Sequence, residues 1–441
     1  MNTRRSFLQK LSCGTVGALA LPSFLDTAAA GTLEDLNASM AHLSPSEIAQ
    51  NEDFWSRIKL DYTVSPNVLN LNNGGASPQP KPVQDAHIRF YQYCNEAPTY
   101  YMWRILDQGR EALRGKLADL AGCEPDEIAI NRNSTEGLNT IIFGLNLKAG
   151  DEVVLSKKDY PSMMNAWRQR EKRDGIKLVW VDLDLPSEDE NAIVKKYTDL
   201  FTSKTKIVHI THVVNWIGQI MPVKKITEAA RKKGIESIVD GAHSFAHLDY
   251  TIPELGCDYY ATSLHKWLGA PLGSGMMYIR KEKIKNVWAL LSSPVPDSED
   301  IRKFETLGTR SFASEMAIGT AVDYHNAIGN VRKFERLHFL QRYWTDKARN
   351  IPHIKVHTSP DPKYACALAL VSAGDLTLPE MDNILMGKYK IHTTSVDYER
   401  MFGIRITPNV YTSLKDLDRL VAALHDLSAE AAKKGINLGK K

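Results

Sequence analysis

The densest concentration of reactive side chains lies between residues 237 and 281, which read SIVDGAHSFAHLDY and, after a short break, CDYYATSLHKWLGAPLGSGMMYIRK. Asp240 follows an apolar run that should end as a strand, and in open α/β sheets ligands bind at the carboxyl ends of strands. A second run ends at Thr262-Ser263 and is followed at once by His265 and Lys266. Glycines after Lys266 permit tight backbone turns close to a bound group. An aspartate on one strand end and a lysine on a neighbouring one suit a cofactor that needs both an anion and an amine. Pyridoxal phosphate (PLP) is such a cofactor: lysine forms the imine, and aspartate keeps the pyridine nitrogen protonated so that the ring accepts electrons.

The rest of the sequence predicts elements able to hold these groups. From residue 126 onward, short apolar runs at 128–130, 153–155, 178–181, 207–210, 237–239, 259–261 and 276–279 alternate with helical patterns such as 111–121 and 226–233. Most of the runs lack polar alternation, as expected of strands covered on both faces. The pattern predicts an α/β sandwich around a mostly parallel sheet of about seven strands. Beyond a proline-broken link at 292–298, long helical patterns (313–327, 331–343), short strand-like pieces (355–357, 367–371) and a closing helix (414–433) predict a smaller α+β part. The expected organisation is an N-terminal helical segment at 31–66, a large cofactor-binding domain at 67–300 and a small domain at 301–441.

On these residues the chain resembles the class V aminotransferases of fold-type I PLP enzymes over roughly 68–425, with isopenicillin N epimerase-like members as the nearest branch. The resemblance implies that Lys266 of S-x-H-K carries the cofactor as a Schiff base, and that Ser263 and His265 bind its phosphate. It implies that Asp240 of D-G-A-H pairs with the pyridinium, and that His243, where many members have glutamine, lies near the ring hydroxyl. Ser134 and Thr135, in IAINRNSTEGLN (128–139), correspond to the phosphate cup at a helix start. N-capping by Ser134 is the plainer reading of that serine. Tyr160 takes the place of the residue stacked on the pyridine, often a histidine, and Asn215 approaches the cofactor hydroxyl or the substrate. Thr309, in L-G-T-R, corresponds to the point where a second subunit reaches the phosphate, which implies a homodimer with a shared active site. Arg405 corresponds to the arginine for the substrate carboxylate, and Asn73 lies in the N-terminal loop on the substrate side.

The implied chemistry is at the α-carbon of an amino acid or peptide-like amine: epimerisation or transamination, with C–S cleavage or elimination as the alternative. All begin with proton removal by the freed Lys266 amine. A cysteine desulfurase carries a nucleophilic cysteine on a mobile loop just before the carboxylate arginine, whereas residues 391–400 here read IHTTSVDYER. Rival readings fit less well. No G-x-G-x-x-G follows an early strand, and the paired histidines (209/212, 243/247) lack H-E-x-x-H spacing, so no metal is expected. A non-catalytic binding protein on the same fold is the reading from another class.

Composition sets the remaining bounds. In 441 residues, 43% hydrophobic and 24% charged content is that of a globular protein, and a net charge of +3 offers no nucleic-acid surface. No apolar run after residue 30 is long enough to span a membrane. Residues 1–30 resemble a twin-arginine export signal: Arg4-Arg5 precede an apolar stretch (11–25) and the small residues Ala28-Ala29-Ala30. This layout predicts passage through the twin-arginine machinery to the periplasm or beyond, and hence an extracytoplasmic amino compound as substrate. Cys94, Cys123, Cys257 and Cys366 are widely spaced and are expected as free thiols.

Overall fold

The computed structural model describes residues 27–438. The seven apolar runs form one sheet: β1 (Ile128–Asn131), β2 (Glu152–Ser156), β3 (Lys177–Val181), β4 (Thr205–Thr211), β5 (Glu236–Asp240), β6 (Tyr259–Ser263) and β7 (Gly275–Ile279). Their spatial order is β1-β7-β6-β5-β4-β2-β3. β7 is antiparallel to both neighbours and every other pairing is parallel. Side chains alternate between two cores: Ile130, Val154, Val208, Val239 and Met276 enter one, and Ala129, Val153, Ile207, Ile238 and Met277 the other. Two apolar faces explain why the strands read as continuous rather than alternating runs.

This topology brings the reactive residues to one edge. Thr211 pairs with Asp240, and Asp240 with Ala261, so β4, β5 and β6 end side by side. Gly275 pairs with both Ser263 and Asn131, which sets the end of β1 beside the end of β6. A Cβ at Gly275 would lie 2.4 Å from Asn131 Oδ1 and 2.6 Å from the Asn133 backbone, so this close approach admits only glycine.

A second, antiparallel sheet comprises β8 (Ile354–Val356), β9 (Ala369–Ala373), β10 (Thr394–Tyr398) and β11 (Met401–Ile406), in the order β8-β9-β11-β10. Leu340 and Trp344 of helix Asn330–Ala348, and Leu417, Leu420 and Leu424 of helix Leu414–Leu438, share a core with its Val371, Ile404 and Ile406. Residues 391–400, which the resemblance matches to a mobile loop, instead form a short strand and half of a hairpin. The hairpin turns at Glu399-Arg400, with φ of 48° and 67°. Lys158 Nζ donates to the Glu399 carbonyl, and Arg400 pairs with Asp182 and Asp184.

Leu69–Asn70 pairs in parallel with Ile391–His392, tying the chain ahead of the large sheet to the second sheet. Helix Phe312–Ile328 packs on helices Lys81–Glu96 and Arg110–Ala121. Helices Thr27–Ser39, Pro45–Gln50 and Glu52–Leu60 precede them. Arg4, Arg5 and the apolar stretch of the expected export signal lie outside the described residues. Among the described residues no helix is long and apolar enough to cross a membrane.

Candidate active site

Lys266 lies one turn beyond β6, with Nζ 3.1 Å from Nε2 of His243. Burial pushes its amine down to about 8, Asp240 opposes that shift and Arg405 adds to it. Burial holds His243 well below the ordinary histidine range, with Lys266 and Arg405 acting in the same direction, so its imidazole is neutral. Its Nδ1 is buried without a partner. Asp240, 4% exposed, accepts a hydrogen bond at Oδ1 from Ala242 N at 2.9 Å. Burial raises its carboxyl, while that bond and Lys266 lower it.

The expected phosphate residues meet where β1 and β6 end. Ser134 N donates to Ser263 Oγ at 2.9 Å, and Ser263 Oγ donates to Ser134 Oγ at 3.0 Å. Ser134 opens helix Ser134–Gly144, whose free N–H groups and dipole favour an anion. The N-cap is Asn133, which accepts from Glu136 N at 2.8 Å, so Ser134 is not needed as the cap. Thr135 is exposed on the first turn. His265 is held by its Nδ1, 3.1 Å from the Ser274 carbonyl.

On the substrate side, Arg405 of β11 is 6% exposed. Its Nη1 donates to the Asn215 carbonyl at 3.0 Å and its Nη2 to Asn72 Oδ1 at 2.9 Å, leaving Nε buried and unpartnered. Burial pushes the guanidinium down to about 10, with Tyr160 and Cys366 pulling the other way. Tyr160 is 43% exposed, so it is no core tyrosine and its ring is open to a ligand. Asn215 is buried with Oδ1 unpartnered. Asn73, in the N-terminal loop, spends its side chain on contacts within the protein. Its Nδ2 donates to the Thr407 carbonyl at 2.8 Å and to the Asn70 carbonyl at 3.2 Å, and its Oδ1 accepts from Tyr411 Oη at 2.6 Å. These bonds make Asn73 a brace for the loop, while the adjacent Asn72 reaches Arg405.

Thr309 is not brought to this cluster within one chain. It is exposed after Gly308 (φ 67°), in the loop before helix Phe312–Ile328, and hydrogen-bonds to none of the residues above.

Several groups that carry no motif also belong to the site. Asp159, beside Tyr160, accepts from Ser156 N at 2.8 Å and from Thr211 Oγ1 at 2.7 Å. Burial pushes its carboxyl up to about 7, with Asp240 a further raising influence. His247 stacks on Trp267 at 3.7 Å and 22°. Tyr398 of the hairpin stacks on Trp216, next to Asn215, at 4.8 Å. In the sequence Asp159 is marked only by its place next to Tyr160, and no motif marks the aromatic pairs.

The residues present fit PLP. Buried polar atoms without partners cluster around Lys266: His243 Nδ1, Asn215 Oδ1, Thr407 Oγ1 and Arg405 Nε. Buried orphans of this density carry a free-energy cost that a polar ligand removes. Asp240 is a buried carboxyl facing a buried amine, and the Ser134–Ser263 corner offers hydroxyls and a helix terminus to a phosphate.

Comparison with known proteins agrees with this arrangement. The class-V aminotransferase family model matches residues 69–395. Isopenicillin N epimerase of Streptomyces clavuligerus is 28% identical over 402 residues, 85% of this chain and 99% of its own length. A probable cysteine desulfurase of Synechocystis is 28% identical over 324 residues, 69% of this chain and 75% of its own length. Among solved structures, a mutant of C-DES with glycine covalently linked to its PLP cofactor superposes with a TM-score of 0.76 at 20% identity, covering 83% of this chain and 99% of the other. The sheet order and flanking helices are those of the fold-type I PLP enzymes. With the match spanning most of the chain and the lysine, aspartate and phosphate corner assembled at one sheet edge, the chain belongs to the class-V aminotransferase family and is a PLP-dependent enzyme.

Proposed function

We propose that the protein acts at the α-carbon of an amino acid or peptide-like amine, by epimerisation or transamination, with Lys266 carrying the cofactor and then moving the α-proton. The observation behind this reading is a buried amine near 8 beside a neutral imidazole, with the buried Arg405 guanidinium close enough to influence both. When bound, PLP supplies an electron sink for charge developing at the α-carbon.

The chain's own residues do the rest. The Arg405 fork holds the substrate carboxylate, aimed by Asn72 and the Asn215 carbonyl. Lys266 Nζ, already depleted of charge by burial, takes the α-proton near neutral pH. His243 Nε2 lies within reach to exchange that proton with Nζ. Asp240 would keep the cofactor's ring nitrogen protonated, Ser134 and Ser263 with His265 would hold its phosphate, and Tyr160 would offer its ring as a stacking face. Burial of the cluster excludes bulk water from the exchange.

Elimination or C–S cleavage is the second reading, since it starts from the same proton step. A persulfide route is disfavoured. Burial raises the thiols of Cys123, Cys257 and Cys366 to about 12 and that of Cys94 above its ordinary value, which keeps them protonated. A non-catalytic role is disfavoured by the cost of keeping these bases buried and unpaired.

Homodimerisation is part of the proposal. Tyr91, Tyr100 and Trp103 are exposed, and Arg310, the residue after Thr309, lies over the Trp103 ring at 5.5 Å. Export by the twin-arginine route, proposed from Arg4-Arg5, is tested by fractionating cells that carry Arg4→Lys/Arg5→Lys.

The test of the reaction is a titration of the PLP-loaded protein with D- and L-amino acids, γ-glutamyl compounds and peptide amines, following the cofactor's visible absorbance. Solvent deuterium at Cα with the amine retained marks epimerisation, a keto acid transamination, and a released thiol or ammonia elimination. Absence of any spectral response or exchange across the panel would leave the non-catalytic reading standing. Persulfide built up from cysteine would overturn the assignment against desulfuration.

A further inference from the structure

Behind Lys266 lies a second buried amine that the chemistry above does not use. Lys333, on helix Asn330–Ala348, is 5% exposed. Its Nζ donates to the carbonyl of Trp267, the residue that follows Lys266, and lies 3.3 Å from Nδ1 of His325 on helix Phe312–Ile328. Burial pushes its amine down to about 7, and no carboxylate opposes that shift. Desolvating an amine without an acidic partner is costly, and an apolar side chain would fill a core-facing helix position at less cost.

The surroundings of Trp267 show what the amine accomplishes. The Trp267 ring is fixed by His247, stacked at 3.7 Å. His247 is fixed in turn, with Nδ1 donating to the His243 carbonyl at 2.7 Å and Nε2 accepting from Ala367 N at 3.1 Å. His243 reaches the Lys266 amine. Lys266 is therefore bracketed, by His243 at the tip of its side chain and by Lys333 at the next peptide.

We propose that Lys333 is a positioning residue which, through the Trp267 carbonyl, sets where the Lys266 amine sits and how readily it changes protonation. The proposal rests on the reading of Lys266 as the cofactor lysine. The titratable groups around Lys333 are His325 on helix Phe312–Ile328, His338 on its own helix, and His243, His247, His212 and Lys266 at the strand ends. All are bases lowered by burial. Two acids face this set: Asp240 acts on Lys266, and Glu335, on the helix of Lys333, acts on His338. The Lys333 charge lowers His325 and His247 directly, and His247 is hydrogen-bonded to the His243 carbonyl, so Lys333 reaches Lys266 through the Trp267 and His247 contacts.

The experiment uses the full chain carrying Lys333→Met, freed of cofactor and reloaded with PLP. The rate of PLP uptake should fall by about tenfold, because the receiving amine is misplaced. The pH midpoint of the bound cofactor's visible absorbance should move by about one unit. A purely structural lysine would change thermal stability and leave both readouts within about twofold or a few tenths of a unit, which would overturn the proposal. If Lys333→Met does not fold, His325→Leu removes the other contact of Lys333 Nζ and should move the same midpoint; an unmoved midpoint overturns the proposal. Borohydride reduction and peptide mapping separate the two levels of inference. Label on Lys266 in both proteins with unchanged uptake refutes only the role of Lys333, whereas label elsewhere in the unsubstituted chain refutes the underlying reading as well.

Discussion

Two clusters of buried charge-bearing side chains in this protein are treated in opposite ways. Around Arg114, which is 1% exposed, Glu305 accepts from both terminal nitrogens at 2.7 and 2.9 Å. Glu305 also accepts from Ile130 N of β1 at 2.7 Å, and Arg110 pairs with Glu305 and Glu315 at 3.2 Å each. Around Lys266 the buried groups are Lys333, Arg405, His243, His247 and His325, five bases with Asp240 as the acid that acts on Lys266. Burial without a matching carboxylate lowers the second set of bases toward neutral pH. The first cluster locks β1 and the segment leading to Thr309 in place. The second keeps an amine near neutral pH able to give and take a proton.

Breaking each cluster should expose the contrast, and the largest effect is expected in the first. Glu305→Ala removes the buried carboxylate that Arg110 and Arg114 share, leaving them only Glu315 and Glu111, and should cost about 3 kcal/mol in a urea titration, whereas Lys333→Met should be near neutral or stabilising by the same measurement. Equal losses at both positions would erase the distinction. At the edge of the second cluster, Arg405→Lys keeps the charge but loses the planar fork, so kcat/KM for substrates with an α-carboxylate should fall by about 10- to 100-fold, mainly through KM.

The pH response should separate the clusters as well. Lys266 and Lys333 are lowered from 10.5 to about 8 and about 7 in the folded chain, so the unfolded chain binds more protons across that window. The cofactor-free protein should therefore gain stability as pH rises from about 7 toward 10.5. It should lose stability below about 6.5, where unfolded histidines take up protons that His243, His247 and His325 refuse. Glu111, by contrast, is held at about 2 by its hydrogen bond to Arg302, and its contribution is lost only as pH falls from about 4.5 toward 2. Melting temperatures of the apo chain that are flat from pH 5 to 9 would contradict the account. A smaller loss than at Glu305 is expected at Thr211→Val, which removes one hydrogen bond to Asp159 and should cost about 1 kcal/mol, read from the denaturation midpoint.

How much of this was legible in the sequence depends on whether the signal was local. The seven strands of the large sheet announced themselves because both faces are apolar, and each run needed only its own residues to be read. Lys266 and Asp240 were legible because short spacings fix them to adjacent strand ends. Asn72 and Asn73 are chemically identical neighbours, and only the Tyr411 and Thr407 contacts decide which is the brace. The β10–β11 hairpin carries no turn signal, since Glu399 and Arg400 occupy left-handed conformations that normally call for glycine or asparagine. Lys333 reads as a solvent-facing helical lysine until the packing of helix Asn330–Ala348 buries it. Thr309 depends on a second subunit for its expected role, and no pattern within one chain can supply that.

The central claim is that the buried Lys266 amine is the group that takes the cofactor. The most direct measurement is borohydride reduction of the PLP-loaded protein followed by peptide mapping, with Lys266→Ala in parallel. The account predicts a single pyridoxyl label on Lys266, and no label with loss of the lysine-bound visible absorbance in Lys266→Ala. A label on another lysine, or undiminished absorbance in Lys266→Ala, would contradict it.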